Sequence, residues 1–129
     1  MPDKPFGTLS TAERAAAVAL QQVGVPYRYG GQSPSGFDCS GLVHYSFARA
    51  GASVPRTTKQ LWSASRFVDK GQLREGDLLF FRFDGKIAHV GMYLGGGRFV
   101  HAPSSGKTVS VQPLWSGIYR EAFVRAGRL

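Results

Sequence analysis

The second half of the chain is a run of short, strand-like segments separated by glycine-containing turns. The segments are DLLFFRF, IAHVGMYLG, RFVHAP, TVSVQP and YREAFVRA, and the turns contain Asp84-Gly85, residues 95–97, Ser105-Gly106 and Ser116-Gly117. Apolar and aromatic segments bounded in this way are typical of antiparallel strands joined by hairpins. Because helical patterns are confined to the first half, the chain is predicted to be an α+β domain rather than a series of alternating β-α-β units.

Two helices are predicted before the strands. The segment STAERAAAVALQQVG begins with a capping-box pattern at Ser10 and Glu13, and Gly24 stands where a helix would end. The segment CSGLVHYSFARA has apolar residues at helical spacing, with Asp38 as a suitable N-cap and Gly51 as a stop. Residues 25–36, rich in Gly, Pro and Ser, are expected to form a loop, and residues 58–63 a short third helix.

The length and composition indicate one domain over residues 1–129. Residues 1–8 are expected to be a flexible N-terminal segment, and the protein is expected to be a monomer. The chain has 129 residues, of which 43% are hydrophobic and 19% charged. No apolar run approaches the ~20 residues that cross a bilayer, so no transmembrane segment is expected. The first twenty residues contain no signal-peptide hydrophobic region. If the protein works outside the cytoplasm, we expect either that a leader was removed or that export uses another route.

The charge favours anionic partners. Sixteen Lys and Arg against eight Asp and Glu leave a net charge of +8, which suits nucleic acid, anionic lipid or an anionic wall polymer. A nucleic-acid surface would use Tyr119, Arg120, Phe123 and Arg125 as interleaved contacts. A solvated basic face that attracts a wall polymer explains the same charge, and we expect no specific nucleic-acid partner.

Cys39 is the only cysteine, which excludes an internal disulfide and a CxxC zinc site. Its predicted place at the start of a helix would stabilise a thiolate and leave its own N–H free to stabilise an oxyanion. The small neighbours Gly36 and Gly41 are expected to keep the sulfur accessible. Cys39 is therefore interpreted as a nucleophile rather than a buried apolar residue.

Two histidines in consecutive predicted strands can serve this thiol. If the loop at residues 95–97 has three residues, His89 and His101 share a face and lie one pair apart diagonally. Cysteine nucleophiles need a histidine that accepts and returns a proton, and that histidine needs an orienting partner. We therefore expect Cys39 to attack, His89 to act as base and then acid, and His101 to orient His89. His44 lies about 140° from Cys39 around the helix and is expected to be structural or on the surface.

A zinc site is the alternative use of the same three side chains. Cys39, His89 and His101 would supply three ligands, as a catalytic zinc requires. The chain lacks the HExxH spacing and a second cysteine, so no metal is expected.

Five blocks, YRYGG, FDCSG, PRTTKQ, GDLLFF and AHVGMYLGGGRFVHAP, occur in an order and spacing that resemble NlpC-type cell-wall cysteine peptidases. The resemblance runs from about residue 14 to residue 123. It implies a papain-like α+β fold, in which the helix that begins at the catalytic cysteine packs on an antiparallel sheet of about five to six strands. The residues it assigns are the nucleophile Cys39, the base His89, the third member His101, Tyr27 near the oxyanion site, and Asp38 and Ser40 beside the substrate groove.

The resemblance also implies an activity. It is hydrolysis of the amide between D-γ-glutamate and a diamino acid (meso-diaminopimelate or lysine) in peptidoglycan stem peptides, without a cofactor. The expected location is the cell envelope (periplasm or outer-membrane-associated) or outside the cell. Members that recognise a free stem amino terminus have Ser before the histidine, whereas this chain has Ala88, so that recognition is not implied. The alternatives are an amidase that cuts another wall bond and a non-catalytic wall-binding domain.

Overall fold

A computed structural model describes residues 8–129; the predicted flexible segment, residues 1–8, lies outside this range except for Thr8. The four α-helices within it are α1 (Thr11–Gln21), α2 (Cys39–Arg49), α3 (Thr58–Ala64) and α4 (Gly117–Ala122). The eight strands within it are β1 (Gln32–Ser33), β2 (Gly36–Phe37), β3 (Arg66–Val68), β4 (Leu78–Phe83), β5 (Lys86–Gly95), β6 (Arg98–His101), β7 (Ser110–Pro113) and β8 (Phe123–Arg128).

The predicted helix starts are confirmed. At α1, the Ser10 hydroxyl accepts from the Glu13 N–H at 3.1 Å and the Glu13 carboxylate accepts from the Ser10 N–H at 3.0 Å. At α2, Asp38 is the N-cap, and its Oδ1 accepts from the Gly41 N–H at 2.6 Å. These caps satisfy backbone N–H groups that have no partner within the first turn of a helix, so each fixes where its helix begins.

The fold class is confirmed as α+β with an antiparallel six-stranded sheet. The strand order is β3-β8-β4-β5-β6-β7, and β1 and β2 form a separate two-stranded hairpin. Helices α1 and α2 cover one face, where Leu42, Val43 and Phe47 pack in a cluster that includes Phe80 and Met92. Burying each such side chain stabilises the fold by roughly 1.5–3 kcal/mol. The helix that begins at Cys39 is thus anchored directly on the sheet.

The other face of the sheet carries a second, largely aromatic cluster. Alternation along β4 sends Phe80 to the helix-covered face and Phe81 to the opposite one. Phe81 packs with Phe99, Phe123 and Tyr119, the last of which comes from α4.

The expectation that YREAFVRA is one strand was wrong in its first half. Residues 117–122 form α4, and β8 begins only at Phe123. The tertiary environment prevails here, because the helical turn allows Tyr119 to reach the aromatic cluster on the sheet. The loop predicted at residues 25–36 also contains the β1–β2 hairpin, and the short edge strand β3 was not predicted.

The β5–β6 hairpin keeps the expected parity by a different route. The pairs Met92↔Val100 and Tyr93↔Phe99 are followed by Gly95↔Arg98, so β5 has a bulge between Tyr93 and Gly95. The turn itself has two residues, and the bulge residue Leu94 restores the odd count that a three-residue loop would have provided. His89 and His101 therefore lie on the same face, as predicted.

Candidate active site

Cys39 is the first residue of α2 and is partly buried. Its Sγ lies 3.6 Å from the Thr58 hydroxyl oxygen and 3.8 Å from the carbonyl oxygen of Ala88. Within residues 8–129, the Cys39 N–H has no hydrogen-bond acceptor, as expected in the first turn of a helix. The thiol therefore lies beside a free backbone donor and at the positive end of the helix dipole.

His89 and His101 form a direct hydrogen bond. The distance between His89 Nε2 and His101 Nδ1 is 2.7 Å. His89 is 6% exposed and His101 is fully buried. His89 also lines a cleft of about 340 Å³ together with Cys39, Tyr27, Ala88 and Tyr119. Because Nε2 is engaged by His101, Nδ1 is the nitrogen that His89 has available for the cleft.

Burial determines the charge of both histidines. It lowers the pKa of His89 to about 4. It also lowers the pKa of His101 to about 3, with a smaller contribution from His89 itself. Both rings are therefore neutral at neutral pH, and a neutral His89 can accept a proton from the thiol.

Tyr27 lies in the same cleft as the thiol. Its backbone N–H donates to the carbonyl of Lys107 at 2.9 Å, and a parallel bridge to Phe37 places it beside β2. Burial raises the pKa of Tyr27, and the nearby Cys39 and Asp38 raise it further. The phenol thus keeps its proton at neutral pH and can donate a hydrogen bond into the cleft.

Asp38 and Ser40 are joined to Arg56, a residue that sequence reasoning did not assign. The Arg56 guanidinium donates from Nη1 to Asp38 Oδ1 at 3.1 Å and to Ser40 Oγ at 2.9 Å, and from Nη2 to Asp38 Oδ2 at 3.0 Å. Asp38 Oδ2 also accepts from the Gly30 N–H at 3.2 Å. Both Asp38 oxygens are therefore occupied in holding the start of α2, the preceding loop and Arg56 together.

The two glycines near the thiol are required for close packing. A Cβ at Gly41 would collide with the carbonyl oxygen of Gly31, and a Cβ at Gly36 would meet the Arg28 side chain at 2.5 Å. They were predicted to keep the sulfur accessible. Gly41 lets the loop before α2 pack against the first turn of the helix, and Gly36 leaves room for the side chain of Arg28.

His44, as expected, lies apart from this cleft. It is half-buried, and its Nδ1 lies 2.9 Å from the carbonyl oxygen of Val54.

The geometry does not suit the zinc alternative. The nitrogens of His89 and His101 that face each other are bonded to each other rather than directed at a common point. No group of three metal-binding side chains is arranged around a possible ion in the described part of the chain.

Three of the four residues proposed for a nucleic-acid surface, all except the exposed Arg120, make contacts within the fold. The Arg125 guanidinium lies 3.7 Å from the centre of the Trp62 ring and donates to the Trp62 carbonyl at 3.0 Å. Phe123 and Tyr119 pack in the aromatic cluster. These contacts leave little of the set free to stack on bases.

The cleft at Cys39 and His89 is the candidate active site because of the chemistry of its residues and not because of its size. A larger cavity of about 730 Å³ lies beside the start of α1, with Glu13, Tyr93 and Arg128 among its lining residues. It contains neither the cysteine nor a histidine.

No helix in residues 8–129 is both long and apolar enough to span a bilayer.

Three residues near the thiol escaped sequence reasoning. Arg56 and Thr58 lie in the block PRTTKQ, which indicated a resemblance but no role, and Tyr119 was placed in a strand. Their contacts depend on tertiary packing, because the first two lie 17 and 19 residues after Cys39 and Tyr119 lies 18 residues after His101.

Comparison with known proteins gives a consistent family match. Residues 24–128 match the family model described as NlpC/P60. The chain is 40% identical over 127 residues to the bifunctional muramidase/DL-endopeptidase CwlT of Bacillus subtilis, covering 95% of this chain and 38% of that protein. It is 36% identical over 138 residues to the murein DD-endopeptidase MepH of Escherichia coli, covering 95% and 51%. The chain thus spans about half or less of these relatives' length.

Solved structures agree. An NlpC/P60 family protein from Bacillus cereus has a TM-score of 0.85 and 35% identity, covering 91% of this chain and 39% of that one. The NlpC/p60 domain of the peptidoglycan hydrolase SagA has a TM-score of 0.80 and 34% identity, covering 94% of this chain and 100% of the other.

Proposed function

Because this chain belongs to the NlpC/P60 family, we propose that it is a cysteine endopeptidase that hydrolyses peptidoglycan stem peptides. The observation that carries the proposal is the shared cleft of Cys39 and His89, with His101 hydrogen-bonded behind His89. The free backbone N–H of Cys39 supplies a hydrogen-bond donor for the oxyanion, which acyl transfer also requires. In this proposal residues 1–129 act as one catalytic domain, located in the cell envelope or outside the cell.

The first half of the reaction is acylation of Cys39. Neutral His89 takes the thiol proton on Nδ1, and the sulfur attacks the carbonyl carbon of the amide. The Cys39 N–H and the Tyr27 hydroxyl donate to the oxyanion. His89 then gives its proton to the leaving amine, the C–N bond breaks, and the acyl group remains on sulfur as a thioester.

Water completes the cycle. His89 removes a proton from a water molecule, which attacks the thioester carbonyl, and the sulfur leaves and is reprotonated. His101 holds the ring of His89 in place throughout by the bond between Nε2 and Nδ1. Every proton is moved by His89, so the proposed cycle uses only side-chain and backbone groups of this chain and water.

Asp38, Ser40 and Arg56 are proposed to shape the substrate groove by fixing the start of α2. Their mutual bonds hold the nucleophile and its N–H in one orientation. Precise placement of reacting groups lowers the barrier, because the entropy of orientation has been lost before reaction.

The proposed bond is the amide between D-γ-glutamate and the diamino acid. A γ-D-glutamyl-L-lysine dipeptidyl-peptidase of Bacillus subtilis, 39% identical over 114 residues, supports it, as does the DL-endopeptidase named above. The murein DD-endopeptidase of Escherichia coli favours a second candidate, cleavage of a bond between two D-centres.

The test is incubation of the protein with purified muropeptides and identification of the products by mass. Cleavage between glutamate and the diamino acid is the expected result. Products cut only at a D,D bond would support the second candidate, and products cut between sugar and peptide would show an amidase. No cleavage of any muropeptide, together with a Cys39 that is unreactive towards alkylating agents, would overturn the proposal and leave a wall-binding domain.

A further inference from the structure

His101 has one nitrogen that the site does not explain. Its Nδ1 is bonded to His89, but its Nε2 is buried without a hydrogen-bond partner among residues 8–129. A buried polar atom without a partner destabilises the fold. The surroundings of Nε2 should therefore bear on which form of His101 is stable.

Aromatic rings pack against His101. The ring centre of Phe99 lies 4.7 Å away at an interplanar angle of 56°, and that of Tyr119 lies 5.0 Å away at 89°. At a right angle, the edge of one ring meets the face of the other. An aromatic face is electron-rich and attracts an N–H group, whereas it repels an unprotonated nitrogen.

The positions of the protons on the rings of His89 and His101 link the aromatic environment of His101 to the thiol of Cys39. Both rings are neutral at neutral pH, because burial lowers the pKa of His89 to about 4 and that of His101 to about 3. Each ring thus carries one N–H, and one proton lies between His89 Nε2 and His101 Nδ1. Either both rings are Nε2–H tautomers or both are Nδ1–H tautomers.

Only one of the two arrangements suits the proposed reaction. With both protons on Nε2, His89 donates to His101 and has an unprotonated Nδ1 that can accept the proton of Cys39. With both protons on Nδ1, His89 has no acceptor for that proton, and the Nε2 of His101 is an unprotonated nitrogen buried without a polar partner in a ring that packs against aromatic side chains.

We propose that Tyr119 is a positioning residue: its ring face receives the Nε2–H of His101 and so selects the tautomer in which His89 presents an unprotonated Nδ1 to Cys39. The role belongs to the ring and not to the hydroxyl, because the hydroxyl makes no hydrogen bond to His101. The inference deepens the proposed function and rests on it for its chemical meaning. Its physical content, the tautomer, can be measured without substrate.

The first test is a two-bond 1H–15N correlation spectrum of histidine-labelled protein near neutral pH. The Cys39→Ala background keeps His89 from forming an ion pair with the thiolate, and His44→Asn assigns the third histidine. We expect both His89 and His101 to be Nε2–H tautomers. Nδ1–H tautomers in this spectrum would overturn the inference, even if no Tyr119 variant folds and whatever the protein cleaves.

Variants separate the ring from its hydroxyl and from general packing. In the same background, Tyr119→Phe should keep the tautomers, and Tyr119→Leu should shift them partly or fully to Nδ1–H. Phe123→Leu is the matched control, since Phe123 belongs to the same cluster and contacts Phe81 rather than His101; it should leave the tautomers unchanged. A folded Tyr119→Leu protein with the tautomers of the parent would contradict the role of Tyr119.

With Cys39 present, the kinetics should follow the tautomers. Tyr119→Leu is expected to lower kcat for muropeptide cleavage by about tenfold to a hundredfold, a part of what a general base contributes, with a smaller change in KM. Tyr119→Phe should have the kcat of the unmodified protein. Loss of kcat in both variants would assign the effect to the hydroxyl and overturn the inference.

Discussion

Arg56 joins three parts of the chain around the start of the cysteine helix. Its planar guanidinium contacts Asp38, Ser40 and, through Nε at 2.7 Å, the side chain of Gln32. The ion pair is partly shielded, with side-chain exposures of 28% for Arg56 and 16% for Asp38. Lysine cannot reproduce this fork, because it carries a single point of charge.

Arg56→Lys is therefore expected to lower the free energy of unfolding by about 1.5–3 kcal/mol, the range for hydrogen bonds to charged groups. It should also reduce muropeptide cleavage, since the orientation of the helix start is loosened. Urea denaturation and cleavage rates check both. Arg49→Lys, at an exposed position in the last turn of α2, is the matched control and should change neither. Equal behaviour of the two variants would refute the role of Arg56.

The β5–β6 hairpin is the element that brings the two histidines together. Side chains alternate along a strand, so the number of residues between His89 and His101 decides whether they share a face. The bulge at Leu94 and the two-residue turn maintain that number. The turn glycines Gly96 and Gly97 have φ values of +62° and +76°, a region that glycine adopts without strain.

Deleting one turn residue, Gly97, should turn one histidine to the opposite face if β5 keeps its bulge at Leu94; a hairpin that loses the bulge instead would keep the pair Tyr93↔Phe99 and both histidines on one face. The predicted loss therefore applies to a variant in which the bulge is kept. We expect loss of the His89–His101 hydrogen bond and a fall in muropeptide cleavage of about a hundredfold or more, the contribution of a positioned base. Gly96→Asn is the control, because asparagine tolerates positive φ and a Cβ there meets no atom within 4 Å. NMR contacts across the hairpin show whether the bulge is kept, and the idea fails if the deletion variant folds with the bulge at Leu94 and still has normal activity.

A structural feature could be predicted from the sequence when the contacts that stabilise it lie within a few residues of one another. The starts of α1 and α2 were predictable because each cap lies within three residues of the N–H it satisfies. The short helix α4 was not, since it has no side-chain cap and is held by packing on the aromatic cluster. The histidine pair was predictable from parity within one hairpin, whereas Arg56, Thr58 and Tyr119 reach the site only through tertiary contacts.

At the scale of the whole molecule, the sheet separates two apolar clusters, and the histidine pair lies among the buried residues. Because these two buried histidines are neutral, the free energy of unfolding depends on pH. Their folded pKa values, about 4 and about 3, lie below the unfolded value of 6.5. The unfolded chain therefore takes up protons first as the pH falls, and the stability contributed by neutral histidines is full above pH 6.5 and lost below it.

We expect the free energy of unfolding to fall as the pH is lowered from 6.5 towards 4, with each buried histidine contributing up to about 1.4 kcal/mol per pH unit. His101→Gln should show a shallower fall over the same range, since one of the two linked groups is gone. Urea titrations at several pH values measure this. A slope that is the same in both proteins would contradict the assigned burial of His101.

The proposed activity depends on Cys39 being the nucleophile in the cleft that it shares with His89. The most direct measurement is the rate of muropeptide cleavage by Cys39→Ala beside the unmodified protein, with circular dichroism to show that both are folded. We predict a fall of at least about a thousandfold, as for loss of a nucleophile in comparable hydrolases. Cleavage by folded Cys39→Ala at the rate of the unmodified protein would contradict the central claim.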